Sequence, residues 1–246
     1  MKIAVAGGTG VVGRPTVDAL RAAGHEAVVL SRSHGVDLVS GDGLEGALNG
    51  VDAVIDVASI ETLKAAAAIE FFTAATGNLV SAAADAGVAH IVLLSIVGID
   101  RIPFDYYAGK VAQEKVVERS PVPWTILRAT QFHEFAAQMF VRAKVGPLHL
   151  APNARTQPIA AREVGERLAD LATGEPQGRV RDLAGPREEQ LAQMIRSYAR
   201  REGHRGWIPA LNVPGPQMAG MRAGDALPGQ DADLGVQTFA EWPAAR

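Results

Sequence analysis

The chain has 246 residues, 48% of them hydrophobic and 21% charged, with 24 basic against 27 acidic side chains and a formal net charge of −3. That composition suits a globular protein with a sizeable core; it lacks the basic excess of a nucleic-acid binder, and no apolar run approaches the roughly 20 residues of a membrane span. There are no cysteines, which excludes disulfides, thiolate nucleophiles and Cys-ligated metals together.

Apolar runs and helical stretches alternate through the first 130 residues. Strands are expected at Lys2–Ala6, Glu26–Leu30, Ala53–Val57, His90–Leu94 and Trp124–Leu127. Between them the pattern predicts helices at Arg14–Ala23, near Leu44–Leu48, from about Ile69 to Ala86, and at Tyr106–Arg119. Ala65–Ala68 reads either as more helix or as a flexible crossing. The strands are rich in Val, Ile and Leu without strict alternation, as expected for burial on both faces. Repeated strand–helix units imply an α/β fold with a Rossmann-like, doubly wound parallel sheet. Beyond about residue 145 helical patterns persist at Arg162–Ala172 and Arg187–Arg201, but turn signals become dense, as in Gly146-Pro147, Gly185-Pro186 and Pro214-Gly215-Pro216. The expected organisation is a nucleotide-binding core at 1–145 and a small, irregular, mostly substrate-binding C-terminal lobe at 146–246, some of whose segments return to the core. The last dozen residues read as a disordered tail. Met1-Lys2 runs straight into a strand, which is not the pattern of a signal peptide, so the cytoplasm is the expected compartment.

The first turn carries the strongest signal. Gly7-Gly8-Thr9-Gly10-Val11-Val12-Gly13 follows a strand and opens a helix. There, backbone N–H groups and the helix dipole converge, and glycines let the backbone approach a diphosphate. The mononucleotide P-loop is excluded, because Arg14 and Pro15 stand where Lys and Ser/Thr are required. At the end of the second strand an NAD site would carry an acid for the ribose 2′-hydroxyl. This chain carries Ser31-Arg32-Ser33 instead, and a guanidinium pairs with a 2′-phosphate. NADP (NADPH) is therefore the expected cofactor. Asp42 follows a stretch read as a short extra strand and either meets adenine or caps the next helix. Val57, Ala58 and Ser59, at the end of the third strand, are also assigned to the cofactor.

A candidate catalytic group follows. Ser95 ends the His90–Leu94 run; Tyr106 and Lys110 lie one helical turn apart on one face. A nearby ammonium would favour the phenolate and ease proton transfer to a carbonyl oxygen, while Ser95 donates a hydrogen bond to the same oxygen. Tyr107, three residues before Lys110, competes for it. His133-Glu134 begins like a zinc-protease motif, but Ala137 stands where the second His is needed, so no metal is expected. No G-x-S-x-G elbow exists, so a hydrolase is unsupported.

Together, the glycine motif, Ser95-x-x-Gly98, Tyr106-x-x-x-Lys110 and the run Pro123-Trp124-Thr125-Ile126-Leu127-Arg128-Ala129-Thr130-Gln131-Phe132 resemble the atypical short-chain dehydrogenases/reductases, the NmrA-like branch most of all. The resemblance spans residues 1 to about 172, with Thr-Ile-Leu-Arg-x-Thr-x-Phe as its most specific piece. It implies a Rossmann fold with NADP(H) on the glycine loop and Lys110 on the nicotinamide ribose. Ala129, Thr130 and Phe132 are then set near the nicotinamide, and Tyr107, Gln131, His133 and Phe135 near substrate. Relatives include cofactor sensors without turnover and enzymes that work with lysine alone.

The expected function is NADPH-dependent reduction of a small organic carbonyl, quinone or conjugated compound. The alternatives are a non-catalytic NADP(H) sensor and an NAD-dependent sugar-nucleotide epimerase. The expected partner is a small-molecule substrate, with neither nucleic acid nor membrane; a homodimer through the Ile69 and Tyr106 helices is the fold-level analogy.

Overall fold

The computed structural model describes residues 1–146 and 148–242; Pro147 of the Gly146-Pro147 turn, and residues 243–246 of the expected tail, lie outside them. In chain order the elements are β1 (Lys2–Ala6), α1 (Gly13–Ala22), β2 (Glu26–Leu30), α2 (Leu44–Ala47), β3 (Ala53–Asp56), α3 (Ala65–Asp85), β4 (His90–Ile96), α4 (Asp105–Glu118), β5 (Trp124–Ala129) and α5 (Phe135–Arg142). The remainder is β6 (Lys144–Val145), β7 (Leu148–His149), β8 (Ala151–Pro152), β9 (Arg155–Thr156), α6 (Ala161–Thr173), β10 (Gly178–Arg179), β11 (Leu183–Ala184), β12 (Glu189–Gln190), α7 (Leu191–Arg201), β13 (Ala210–Leu211), α8 (Pro216–Ala223) and β14 (Asp233–Leu234).

The main sheet runs β14-β11-β5-β4-β3-β1-β2, with β10 also on β5, and each of its pairings is parallel. Alternation sorts the side chains onto two faces. Ile3, Val5, Ile55, Val92, Leu94 and Leu127 join the core under α1 and α6. Ala4, Ala6, Val54, Ile91, Leu93 and Ile126 join the opposite core with Leu79, Val80 and Val117 of α3 and α4. Burial on both sides is why these strands read as continuous apolar runs.

Two glycines set how closely the helices cross. A Cβ on Gly109 of α4 would lie 2.7 Å from Ala68 of α3, and one on Gly165 of α6 would lie 2.7 Å from the Thr16 nitrogen of α1. α3 starts at Ala65, so the alanine run is helix, and the first crossing packs it closely against α4, which carries Tyr106 and Lys110.

Beyond β5 the chain both builds the lobe and returns to the sheet. α6 packs into the core beside α1, while β10, β11 and β14 extend the parallel sheet. The lobe has its own apolar centre of Ile99, Ile102, Tyr107, Leu191, Ile195, Ile208, Met221 and Ala226. α5 and α8 lie in stretches where no helix was expected, and α7 starts at Leu191 because Glu189–Gln190 pairs with Arg155–Thr156. The stretch before Asp42 is not a strand but a turn region in which Asp37 accepts from the Val39 and Ser40 nitrogens. The described part of the expected tail is packed, with Phe239 and Trp242 buried beside Met194 and Ala136.

Candidate active site

The cradle between β1 and α1 is fixed by backbone contact. Gly7 has φ +78°, and a Cβ there would lie 2.9 Å from the Val57 oxygen and the Ala58 Cα. A Cβ on Gly13 would sit 2.1 Å from the Gly7 oxygen. Neither position admits a side chain without moving backbone. Gly7 N donates to Leu30 O at 3.1 Å, which ties the loop to the end of β2, and Gly10 N donates to Gly7 O at 2.9 Å. Among the described residues, the N–H groups of Val11, Val12 and Gly13 have no protein acceptor, and α1 has no side-chain N-cap. Thr9, Gly10 and Val11 are exposed. An open helix N-terminus with free N–H groups is a receptor for an anion.

At the end of β2, Arg32–His34 forms a single 3-10 turn preceded by Ser31. Ser31 Oγ lies 3.0 Å from Ser33 Oγ and 2.8 Å from His34 Nδ1. Arg32 is exposed and, among the described residues, has no acidic partner. His34 was not anticipated; its place in the Ser31-x-x-His34 turn was the available signal. Asp42 is bonded to Ser40 Oγ at 2.7 Å. It does not cap α2, whose N-cap is Gly43 without a side-chain bond.

The three proposed catalytic side chains do not form one cluster. The Tyr106 hydroxyl pairs with Ser59 Oγ at 2.8 Å, on the loop after β3, rather than with Ser95. Its ring stands edge-on to Phe72, with centroids 5.6 Å apart. Burial raises the Tyr106 pKa above its ordinary value, against a smaller lowering by the Ser59 bond. The expected depression by a nearby ammonium is not found, because Lys110 turns inward. Lys110 is 4% exposed. Its Nζ donates to Leu94 O at 2.7 Å and to Gln113 Oε1, and it lies 4.8 Å from the centre of the Phe72 ring. Burial pulls it down to about 8, although Asp56 and then Glu114 hold it up. Ser95 faces the same side of the sheet as Leu93, next to the carbonyl that binds Lys110. It is buried, and its Oγ has no partner among the described residues. A buried hydroxyl left unpaired in the protein awaits a ligand or water.

Behind Lys110 lies a polar network that was not anticipated. Asp56 Oδ1 accepts from Ala58 N at 3.0 Å, and Oδ2 accepts from Thr76 Oγ1 and Gln113 Nε2, each at 2.9 Å. The signal available was an acid closing the otherwise apolar run Ala53-Val54-Ile55.

The candidate substrate residues divide. Tyr107 does not compete for Lys110: its hydroxyl accepts from Gln131 Nε2 at 3.0 Å, Gln131 Oε1 accepts from Thr156, and burial pushes the phenol up to about 12. Thr130 Oγ1 donates to Gln157 O at 2.6 Å, Ala129 is buried in the sheet, and Phe132 bridges to Ile159. His133 lies away from the crevice. It is fully buried, its Nε2 is 3.1 Å from Gln237 O, and its ring packs on Phe239 and Trp242. Phe135 is partly buried against the lobe core together with Tyr106, Met139 and Met218. These four are partly buried apolar side chains at the edge of the lobe core, and ligands of parallel sheets bind beyond the carboxyl ends of the strands.

The residues present fit a dinucleotide, on three counts: a cradle that a Cβ would fill, unpaired N–H groups at a helix start, and an unpaired buried hydroxyl beside a lysine. The comparisons agree. Residues 7–173 match the model of the NAD(P)H-binding family. A search of curated protein sequences finds no significant match. Among solved structures, triphenylmethane reductase from Citrobacter sp., complexed with NADP(H), superposes with a TM-score of 0.70 at 18% identity over 94% of this chain and 93% of that one. An NADPH-dependent quinone oxidoreductase from Escherichia coli, complexed with NADPH, gives 0.65 at 19% over 91% and 88%. UDP-glucose 4-epimerase from Thermus thermophilus, complexed with NAD, gives 0.68 at 17% over 98% and 91%. At such identities the likeness is one of fold, and it spans reductases and epimerases. No described helix is long and apolar enough to cross a membrane. The family match over residues 7–173, together with the parallel sheet and the glycine turn between β1 and α1, makes this chain a member of the NAD(P)H-binding family with a Rossmann-type fold.

Proposed function

We propose that the protein is an NADPH-dependent oxidoreductase that reduces a small carbonyl, quinone or related conjugated compound. The observation that carries the reading is the Tyr106–Ser59 hydroxyl pair, 2.8 Å apart, on a phenol that burial keeps protonated. A protonated phenol at the mouth of the crevice is a donor for an oxygen on which charge develops. Gly7 to Gly13 would hold the pyrophosphate, Arg32 with Ser31 and Ser33 the 2′-phosphate, and Lys110 with Ser95 the nicotinamide end. When bound, the reduced nicotinamide supplies hydride. The chain's own work is to orient it, exclude water with the Phe135, Met139 and Met218 wall, and provide the proton at Tyr106.

A direct test is to follow loss of the reduced cofactor over a panel of quinones, conjugated ketones and aldehydes. Turnover with NADPH that is lost in Tyr106→Phe, while cofactor binding persists, supports the reading; no turnover by the wild type on the whole panel removes it. One observation favours a second reading, a cofactor sensor: Lys110 Nζ already has two protein acceptors. Binding without turnover is its signature. The epimerase alternative requires tightly held NAD, and the absence of an acid after β2 weighs against it.

A further inference from the structure

Lys110 is held by an amide whose orientation is not free. Gln113 sits between a cation and an anion. Its Nε2 donates to Asp56 Oδ2 and to Thr76 Oγ1, each at 2.9 Å, and the Thr76 hydroxyl in turn donates to the same carboxylate at 2.9 Å. Turning the amide over would set its oxygen against a carboxylate and its NH₂ against an ammonium. The oxygen therefore faces Lys110. Gln113 and Thr76 are fully buried and Asp56 and Lys110 nearly so, so water competes little for these bonds. None of the four is replaceable by an apolar group alone without orphaning another.

We propose that Gln113 is a positioning residue for Lys110: clamped by Asp56 and Thr76, it presents its oxygen to the ammonium and couples the Asp56 carboxylate to it. An ammonium has three N–H groups. Leu94 O and Gln113 Oε1 take two, and the third is left for an oxygen of the bound dinucleotide or of the substrate. The consequence for that ligand rests on the oxidoreductase reading; the coupling itself does not.

The charged groups that face Lys110 are few. β3 contributes Asp56, and α4 itself contributes Glu114, which is bound in turn by Arg128 from β5 and by Arg179. α3 contributes Phe72 and Thr76, and β4 a carbonyl, none of them charged. Burial lowers Lys110 to about 8, with Asp56 the larger of two opposing influences. The group therefore titrates within a range in which turnover can be measured.

The test reads Lys110 directly. The chain has five lysines, so ¹³C-labelled lysine gives a tractable spectrum, with Lys110 assigned by its loss in Lys110→Arg. The titration of its Cε signal is followed in the full-length wild-type protein, Gln113→Leu, Gln113→Glu and Asp56→Asn, each first checked for native circular dichroism. Leu at 113 and Asn at 56 should each move the midpoint down by about one pH unit, and Glu at 113, which places a carboxylate directly on the amine, should move it up by a similar amount. Opposite displacements at one position are not what general loosening of the fold produces. Midpoints unchanged in all three variants, or lowered by Gln113→Glu, would overturn the proposal. Expected displacements in a protein that turns over nothing would uphold the coupling while removing the oxidoreductase reading. If turnover is present, the alkaline limb of kcat should follow the same midpoints.

Discussion

The two ends of this molecule's crevice are built on different terms. On the glycine-loop side the ligand site is backbone: its shape comes from where a Cβ cannot go, at Gly7 and Gly13, and its charge from unpaired N–H groups at the start of α1. On the lobe side the wall assigned to substrate under the proposed function is made of partly buried side chains, Tyr106, Phe135, Met139 and Met218, drawn from three helices far apart in the chain. A backbone site tolerates almost no change and recognises what its whole family recognises. A side-chain site is adjustable, because methionine and aromatic contacts repack. Under the proposed function, generality of cofactor and particularity of substrate thus fall on physically different kinds of surface.

The sharpest way to break that comparison is to add a methyl group to the backbone side. Gly13→Ala should lower dinucleotide affinity on the order of a hundredfold or more, since its Cβ would overlap the Gly7 oxygen; calorimetric titration measures this. The control is Gly24→Ala, which adds backbone strain at positive φ (+81°) that Gly13 does not have, but meets nothing within 4 Å. It should cost about 1 kcal/mol of stability and leave affinity unchanged. Comparable loss of binding in both would mean that strain in general, not the cradle, is being measured.

Next in size is the proton donor. Tyr106→Phe should lower kcat by on the order of 10²- to 10⁴-fold with NADPH binding unchanged. Ser59→Ala, which removes only the hydroxyl's partner, should lower it by about tenfold. If Ser95→Ala costs turnover while Ser59→Ala does not, the pairing seen at Tyr106 is not the productive one.

Arg32→Ala comes third. It should weaken NADPH by about ten- to a hundredfold, as expected for a charge-assisted hydrogen bond, and leave NADH untouched. Equal weakening of both cofactors would mean that Arg32 supports the loop rather than reads the phosphate.

The smallest effect is on stability. Burial lowers the pKa of His90 and of His133 below 6.5. Above 6.5 both are neutral whether the chain is folded or not, so this contribution is complete. As the pH falls below 6.5 the unfolded chain takes up protons first, and stability declines toward the folded-state values. Urea unfolding between pH 7.5 and 5 should show this loss, reduced in His133→Gln relative to its own neutral-pH stability. A pH-independent midpoint would contradict it.

The two sides also differed in how far they could be read from sequence. β1 and β2 match the expected Lys2–Ala6 and Glu26–Leu30, because a short apolar, Val/Ile-rich run between turns reads as a strand whether it is buried, as β1 is, or a half-buried sheet edge, as β2 is, and the glycine turn is written in the residues that make it. α5 was missed because an eight-residue segment is too short to tell from a loop by periodicity, and α8 because it opens inside Pro214-Gly215-Pro216, which reads as a turn. Tyr106 and Lys110 were identified by spacing, yet spacing did not show that one faces the crevice and the other the interior. That division is set by the close α3–α4 crossing at Gly109, a tertiary fact. Asp56, Thr76 and Gln113 escaped for the same reason: an acid, a hydroxyl and an amide 20 and 37 residues apart carry no pattern until the sheet brings them together. His133, expected near substrate, is instead committed to the aromatic cluster of Phe239 and Trp242.

The central claim is that the β1–α1 cradle takes a pyridine dinucleotide and that Arg32 selects the phosphorylated form. Calorimetric titration of the folded protein with NADPH and NADH in parallel tests it most directly. The account predicts one site per chain, with NADPH bound about tenfold or more tighter than NADH. Equal or tighter binding of NADH would contradict the selection, and no heat from either nucleotide, oxidised or reduced, would contradict the cradle itself.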